Sequence, residues 1–255
     1  MLLAVDIGNT NVTFGVFEGE RIKTTWRMST AIHRTPDEYA NTILSLMERQ
    51  GLQASQIKDI VICSVVPPLL IIFEEVCRRY LNKNPLIVEA GVKTGVRIDM
   101  ENPREVGPDR IVNAVAAHQL YGGPVIVIDM GTATTVDVVN KSGDYIGGAI
   151  APGIAISTEA LFTRTARLPR IELAIPKKAI GRNTVAAMQS GIVFGYIGLI
   201  EGLINRIQSE LETPAKVVAT GGFAEMLSQA SKVVDIVNSD LTLVGLRLIH
   251  NMNRG

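Results

Sequence analysis

The feature that most constrains this chain is an echo within it. Leu2-Leu3-Ala4-Val5-Asp6-Ile7-Gly8-Asn9-Thr10-Asn11 resembles Val125-Ile126-Val127-Ile128-Asp129-Met130-Gly131-Thr132-Ala133-Thr134. Both are apolar runs that end in Asp-x-Gly-x-x-(Asn/Thr), and each is followed by a second β-rich run, at 12–17 and 135–139. From Asp6 to Asp129 the offset is 123 residues, about half of a 255-residue chain. Duplication of one α/β unit is the simplest source of such a pattern.

The two halves run a similar course. Strands are predicted at 2–6, 12–17 and 21–28, with Glu18-Gly19-Glu20 as a turn. A helix over 36–49 follows, capped by Thr35 with Glu38 at its third position. A buried strand at 59–65 and a helix at 68–80 come next. In the second half, strands at 125–129, 133–139 and 144–150 repeat the meander around the turn Lys141-Ser142-Gly143-Asp144. Helices at 153–162 and 184–211, a strand at 215–219, a helix at 222–230, a strand at 233–237 and a helix from 241 complete the chain. A three-strand meander followed by alternating helices and strands is the ribonuclease-H-like plan. Two copies make the actin-like ATPase fold: α/β, with duplicated domains whose mixed five-stranded sheets face a central cleft. The expected domains are 1–118 and 119–255.

Hydrophobic residues make up 47% of the chain, enough for a sizeable core, and Lys plus Arg equals Asp plus Glu at 25 each. No net charge therefore favours nucleic acid or an anionic membrane, and neither partner is expected. Cys63 and Cys77 form no CxxC pair and read as reduced core thiols. His33, His118 and His250 lack metal-ligand spacing and suggest surface or helix-face roles. No basic segment precedes the first apolar run, which stops at Asp6, and the longer apolar stretches are interrupted. The expected location is the cytoplasm.

At the end of each first strand, Gly8 and Gly131 let backbone N–H groups approach phosphate oxygens. Asn9, Thr10 and Asn11 add short polar groups to the first turn, and Thr132, Thr134 and Thr135 to the second. Asp6 and Asp129 cannot meet phosphate directly without repulsion, so their suitable work is to hold a cation or its water. Neither a Walker lysine motif nor GxGxxG is present. A single such turn could be an ordinary hairpin; two in register argue for a phosphate site. Thr220-Gly221-Gly222 is a third glycine element, suited either to an adenine ring lying on backbone or to a plain strand-to-helix turn.

On these residues the chain resembles the type III pantothenate kinases, the Bvg accessory factor family, over essentially its full length. The resemblance is carried by Asp6 to Asn11 and Asp129 to Thr135, by Gly147-Gly148-Ala149-Ile150-Ala151-Pro152-Gly153, and most specifically by one block. That block is Glu101-Asn102-Pro103-Arg104-Glu105-Val106-Gly107-Pro108-Asp109-Arg110-Ile111-Val112-Asn113-Ala114. The resemblance implies an ATP-dependent kinase that phosphorylates pantothenate, with Mg2+ and a monovalent cation, potassium or ammonium. Asp6, Ile7, Gly8, Asn9, Thr10, Asn11, Val12 and Thr13 would form the first nucleotide loop, and Thr132 would contact ATP in the second. Asp129 would hold the monovalent cation. Met100, Gly107, Pro108, Asp109 and Arg110 would line the pantothenate pocket, with Asp109 as catalytic base. Thr184 would reach pantothenate from the partner subunit of a homodimer, with the substrate site near the interface.

Independent physics agrees with Asp109 as base. Transfer to a primary alcohol needs an acceptor for its proton, and the first turn of a helix favours an ionised carboxylate. Arg110 can steady a substrate carboxylate with paired N–H donors. The chain departs from the family at Met100, where relatives carry an aromatic residue, and has Pro108 in the variable position of Gly-x-Asp-Arg. The proline-punctuated stretch 163–183 reads as a basic flap or as a solvated connection. Ala186, Ala187, Gly191, Gly195, Gly198 and Gly202 suit close helix packing, within the chain or between subunits. Another enzyme of the same fold, or a non-enzymatic regulator, are the readings that compete with the kinase.

Overall fold

Leu3, Val5 and Ile7 are buried on one side of β1 (Leu2–Ile7), and Leu2 and Ala4 on the other, so β1 is a central strand covered on both faces. The structure, a computed structural model, describes residues 1–254. Around β1 lie β2 (Asn11–Glu18), β3 (Arg21–Ser29), β4 (Asp59–Ser64) and β5 (Leu86–Ile87), in the order β3-β2-β1-β4-β5. The β1–β2 and β2–β3 pairs are antiparallel; β1–β4 and β4–β5 are parallel. The second sheet repeats this plan. β6 (Val125–Met130), β7 (Ala133–Val139), β8 (Tyr145–Pro152), β9 (Lys216–Thr220) and β10 (Ile236–Val237) take the order β10-β9-β6-β7-β8. Again the first three strands form an antiparallel meander and the last two pair parallel.

The duplication extends to a detail, and there it corrects the sequence reading. β2 carries an irregularity between Val16 and Phe17, and β7 carries one between Val138 and Val139. Asp6 pairs with Thr13, whereas Asp129 pairs with Thr135. The second turn is therefore one residue shorter. Beyond it the structural counterpart of Thr134 is Val12, not Asn11 as the motif spacing suggested.

Contacts divide the chain into two units. The first comprises Met1–Val96, Glu101–Ala116 and the chain from Leu241 on; the second comprises Arg97–Met100 and Ala117–Asp240. In the first unit, α1 (Pro36–Arg49) and α2 (Pro67–Tyr80) cover one sheet face with Tyr39, Ile43, Met47, Leu69, Phe73 and Val76. The predicted capping box is present: Glu38 N–H donates to Thr35 Oγ1, and Glu38 Oε2 accepts from Thr35 N–H at 2.8 Å. The other face is covered by Val112 and Val115 of α3 (Pro108–Tyr121) and by Leu243, Leu246 and Ile249 of α7 (Leu241–Met252). Chain order assigned that last helix to the second half. Packing assigns it to the first, because the face bearing Leu2, Ala4 and Phe17 needs cover beyond α3. Gly245 permits the approach: a Cβ there would lie 2.2 Å from the Val112 carbonyl oxygen.

In the second unit, α4 (Ile154–Thr163), α5 (Thr184–Glu210) and the short α6 (Ala224–Ser228) surround one core with β6, β7 and β9. α5 is long and apolar enough to cross a membrane by length and composition, because its glycines do not interrupt it. Yet Met188, Ile192, Val193, Tyr196, Ile197, Ile200 and Ile204 are buried against the sheet, which makes α5 a core helix.

Both cysteines are free and buried, as expected. His250, expected on a surface or a helix face, lies on α7 and is 6% exposed, with Nδ1 unpartnered and Nε2 4.0 Å from Asp59 Oδ2. Burial lowers its pKa from the ordinary 6.5, against the attraction of Asp59. As pH falls through that value the unfolded chain takes up a proton that the folded chain resists. His250 therefore costs stability progressively below about pH 6.5 and nothing well above it. The melting temperature should drop on going from about pH 7 to 5, and His250→Leu should flatten that drop. An unchanged slope in the variant, by thermal melts across that range, would contradict the assignment.

Candidate active site

In the first unit the site is built at the carboxyl end of β1. Along this strand alternate residues share a face, so Asp6 continues the row of Leu2 and Ala4 that packs on α3. On α3, Asp109 lies one turn ahead of Val112, which touches the same cluster. Asp6 is in register with Cys63 on β4. Cys63 is fully buried, and its thiol is pushed well above the ordinary range, chiefly by burial and then by the charges of Asp6 and Asp109. Two carboxylates that are far apart in sequence thus act on one neutral thiol at one strand end.

The first turn closes with Gly8 N–H donating to the Asn11 carbonyl at 3.0 Å. A Cβ on Gly8 would stand 3.1 Å from that oxygen, which explains the glycine by crowding. Thr30, which no motif singles out, clamps the turn from the end of β3. Its Oγ1 donates to the Gly8 carbonyl at 2.6 Å and its N–H to the Thr10 carbonyl at 2.9 Å. Asn9 and Thr10 are exposed; Asp6, Asn11 and Thr13 are half-buried. Ile7 and Val12, also expected in the nucleotide loop, bury their side chains in the core, leaving only backbone for a ligand.

The 101–114 block is arranged around Gly107. Its carbonyl accepts from the N–H groups of Arg110 and Ile111, opening α3 behind Pro108. The Asp109 carboxylate folds back, Oδ1 accepting from Arg110 N–H at 2.9 Å. A Cβ on Gly107 would lie 2.5 Å from that Oδ1, so the carboxylate's position requires glycine there.

In the second unit, Gly131 N–H donates to the Ala133 carbonyl at 3.1 Å, and Asp129 is half-buried at the end of β6. Gly131 itself is uncrowded: a Cβ would make ordinary contacts at 3.5 Å to Asp129 Oδ1 and 3.6 Å to the Ala133 carbonyl oxygen. The obligatory glycines here are others. Gly153 would place a Cβ 2.2 Å from the Thr132 carbonyl oxygen. Gly221 has φ +92°, and its Cβ would lie 2.7 Å from Asp129 Oδ1 and from the Met130 backbone. So Gly221 makes room for the Asp129 carboxylate at the edge where β6 pairs with β9. Thr134 is buried, its hydroxyl in contact with the Tyr196 hydroxyl from α5, whose pKa burial pushes up to about 12.

Met100 is 38% exposed, its Sδ 3.3 Å from where a Cβ on Gly147 would stand. Thr184 is exposed at the start of α5, behind the cap formed by Asn183 Oδ1 accepting from Ala186 N–H at 2.8 Å. With Arg182, Gly191, Gly195 and Tyr196 it lines an apolar groove of about 910 Å³. The structure thus sets Thr184 on that groove, and Asp129 and Thr132 at the strand end, as separate parts of one unit.

Comparison with known proteins shows the family of the chain. A family model described as type III pantothenate kinase matches residues 2–206. A type III pantothenate kinase of Dehalococcoides mccartyi is 56% identical over 253 residues, covering 99% of this chain and 96% of that protein. Among solved structures, a conserved Baf family protein from Campylobacter jejuni is similar in fold, with a TM-score of 0.62 at 21% identity over 98% of each chain. The activator of 2-hydroxyisocaproyl-CoA dehydratase from Clostridium difficile, with bound ADPNP, gives 0.52 at 13% identity, covering 100% of this chain and 98% of that one. The chain belongs to the type III pantothenate kinase family, on an actin-like ATPase fold.

The glycine geometry makes a discriminating prediction. Gly221→Ala would introduce backbone strain and a clash with Asp129, and should weaken nucleotide binding about tenfold or more. Gly131→Ala should stay within about twofold of the parent, since its Cβ finds ordinary contacts. Calorimetric titration with a non-hydrolysable ATP analogue measures both; equal losses would refute the assignment of the obligatory glycine.

Proposed function

We propose that this chain transfers the γ-phosphoryl group of ATP directly to the primary hydroxyl of pantothenate, the first step towards coenzyme A, with Asp109 as general base. The observation that supports this reading is geometric: Asp6 stands in register with Cys63 at the end of β1, and Asp109 lies one turn ahead of Val112, which packs in the same cluster as Cys63. Two carboxylates near one strand end, one of them beside a turn suited to phosphate, are what in-line transfer from a polyphosphate to an alcohol would use.

The roles follow from chemistry. The Gly8–Asn11 turn offers backbone N–H groups and short polar side chains to phosphate oxygens. Asp109 accepts the hydroxyl proton as the oxygen attacks, and Arg110 holds the pantothenate carboxylate. No side chain is asked to carry the phosphoryl group. Met100 packs on the gem-dimethyl group without donating a hydrogen bond. Among the described residues no group of three or more His, Cys, Asp or Glu side chains could hold a metal ion. That donor set fits Mg2+ carried by the nucleotide with much of its water and steadied by one carboxylate, for which Asp6 is suited. Asp129 and the hydroxyls beside it suit potassium or ammonium. Bound cations would supply neutralisation of phosphate charge.

The assembly is a homodimer in this reading. Gly191, Gly195 and Gly198 have open space where a Cβ would stand, and Val185 and Leu199 are exposed beside them. A second copy's α5 can approach closely there, bringing Thr184 towards the partner's acceptor site. The enzyme works in the cytoplasm.

With ATP, magnesium and potassium, ADP release should depend on pantothenate and fall when sodium replaces potassium. Release indifferent to pantothenate would send the reading to another kinase or phosphatase of this fold. Asp109→Asn should lower kcat by about 10²–10⁴-fold with nucleotide affinity unchanged. Near-normal turnover in that variant would remove Asp109 as the base.

A further inference from the structure

Asp137 is a fully buried carboxylate in the middle of β7. Its Oδ1 accepts from the Tyr145 hydroxyl at 2.7 Å, and its Oδ2 from the Thr135 hydroxyl at 2.9 Å. Taking a carboxylate out of water is costly even when hydroxyl donors meet it, and an apolar side chain of similar size would commonly serve a core as well. The duplication shows that the fold itself does not ask for an acid here. With Thr13 and Thr135 as counterparts opposite Asp6 and Asp129, the first-copy counterpart of Asp137 is Gly15. That position is filled by Leu243 of α7, whose Cδ1 lies 2.9 Å from where a Cβ on Gly15 would stand. One copy is packed with a leucine; the other holds a hydrogen-bonded acid.

The two donors lead to the two halves of the chemistry. Thr135 stands directly across from Asp129 in the β6–β7 ladder. Tyr145 grips the segment that carries Met100. Its N–H donates to the Arg97 carbonyl at 2.8 Å, its carbonyl accepts from Asp99 N–H at 2.8 Å, and it bridges Ile98 in parallel register. Gly147, two residues on, is where Met100 Sδ rests. A ring locked at its hydroxyl by Asp137 fixes the backbone that fixes residues 97–100.

We infer that Asp137 is a positioning residue that, through Tyr145, sets the segment bearing Met100 for the acceptor substrate and, through Thr135, sets the hydroxyl beside Asp129 for the nucleotide and its cation. The inference rests on the acceptor site and reaction proposed above. Asp137 touches no reacting atom; it acts by orienting two hydroxyl-bearing side chains.

Three variants separate the arms. Tyr145→Phe should raise KM for pantothenate about fivefold, the size of one lost hydrogen bond, and leave KM for ATP unchanged. Thr135→Val should do the reverse, and Asp137→Asn, in which one acceptor oxygen becomes a donor, should raise both. A uniform fall in kcat with both KM values unchanged, or melting temperatures that fall in step with activity in all three, would overturn the inference in favour of mere core packing. Hydrogen exchange on the ligand-free chain gives a readout independent of the reaction. Asp137→Asn and Tyr145→Phe should speed exchange at the Asp99 and Tyr145 amides, and Thr135→Val should not. Exchange unchanged in the first two would sink the Tyr145 arm. Should the parent enzyme ignore pantothenate, the kinase reading falls, while the exchange experiment still decides whether Asp137 holds residues 97–100.

Discussion

A strand covered on both faces can hold a charge along its length only where polar donors meet it, so a carboxylate that is to stay open to a ligand belongs at its end. β1 and β6 both obey this constraint. Leu2 to Val5 and Val125 to Ile128 are buried, and Asp6 and Asp129 are the first half-buried positions on each strand. Everything else about the site depends on that placement. The turn that follows closes on its own backbone, the neighbouring parallel strand must tolerate the acid, and in the first unit the covering helix carries a second carboxylate, Asp109, one turn ahead of the cluster it packs on. On β4 the neighbour is a buried thiol; on β9 it is Thr220, followed by a glycine that clears space for the carboxylate.

Much of this was legible in the sequence, because its causes are local. Burial on both faces appears as an unbroken apolar run, the helix over 36–49 announces itself with Thr35 and Glu38, and the duplication is visible as a repeated motif. What sequence spacing hid were contacts between distant segments. Gly131 stands inside the motif and so attracted the explanation, yet it is uncrowded, while at Gly153 and Gly221, outside the motif, a side chain would collide. Nothing local marks Thr30 as the clamp on the first turn. The shorter second turn was equally invisible, since Asn11 and Thr134 are chemically alike and align without a gap. Only the ladder opposite Asp6 and Asp129 reveals the one-residue difference.

The terminal helix shows the same limit from another side. Its apolar periodicity predicts a buried face, but which sheet it buries against is a matter of vacancy. The first sheet presents Leu2, Ala4, Phe17 and Cys63 to α3, which contributes Val112 and Val115, and the remaining area is closed by Leu243, Leu246 and Ile249. α7 therefore holds the scaffold on which Asp6 and Asp109 converge, although it lies far from both in sequence. Gly245 is the signature of that service, since any side chain there would strike the Val112 carbonyl.

That vacancy also explains how two copies of one unit could diverge. In the first copy the helix supplies Leu243 over Gly15, and the interior at that level is apolar. In the second, the equivalent level holds Asp137 with Tyr145 and Thr135. An apolar filler contributes cohesion without direction, because dispersion and burial are indifferent to small rotations. A buried carboxylate with two hydroxyl donors contributes less net stability and more direction, because each bond fails outside a narrow angle. The copy that carries Asp109 on a helix already braced by an apolar cluster has no need of such direction. The copy that must place an irregular segment, 97–100, against the edge of its sheet does, and a polar tie inside the core is the means by which a strand can hold a loop in one position.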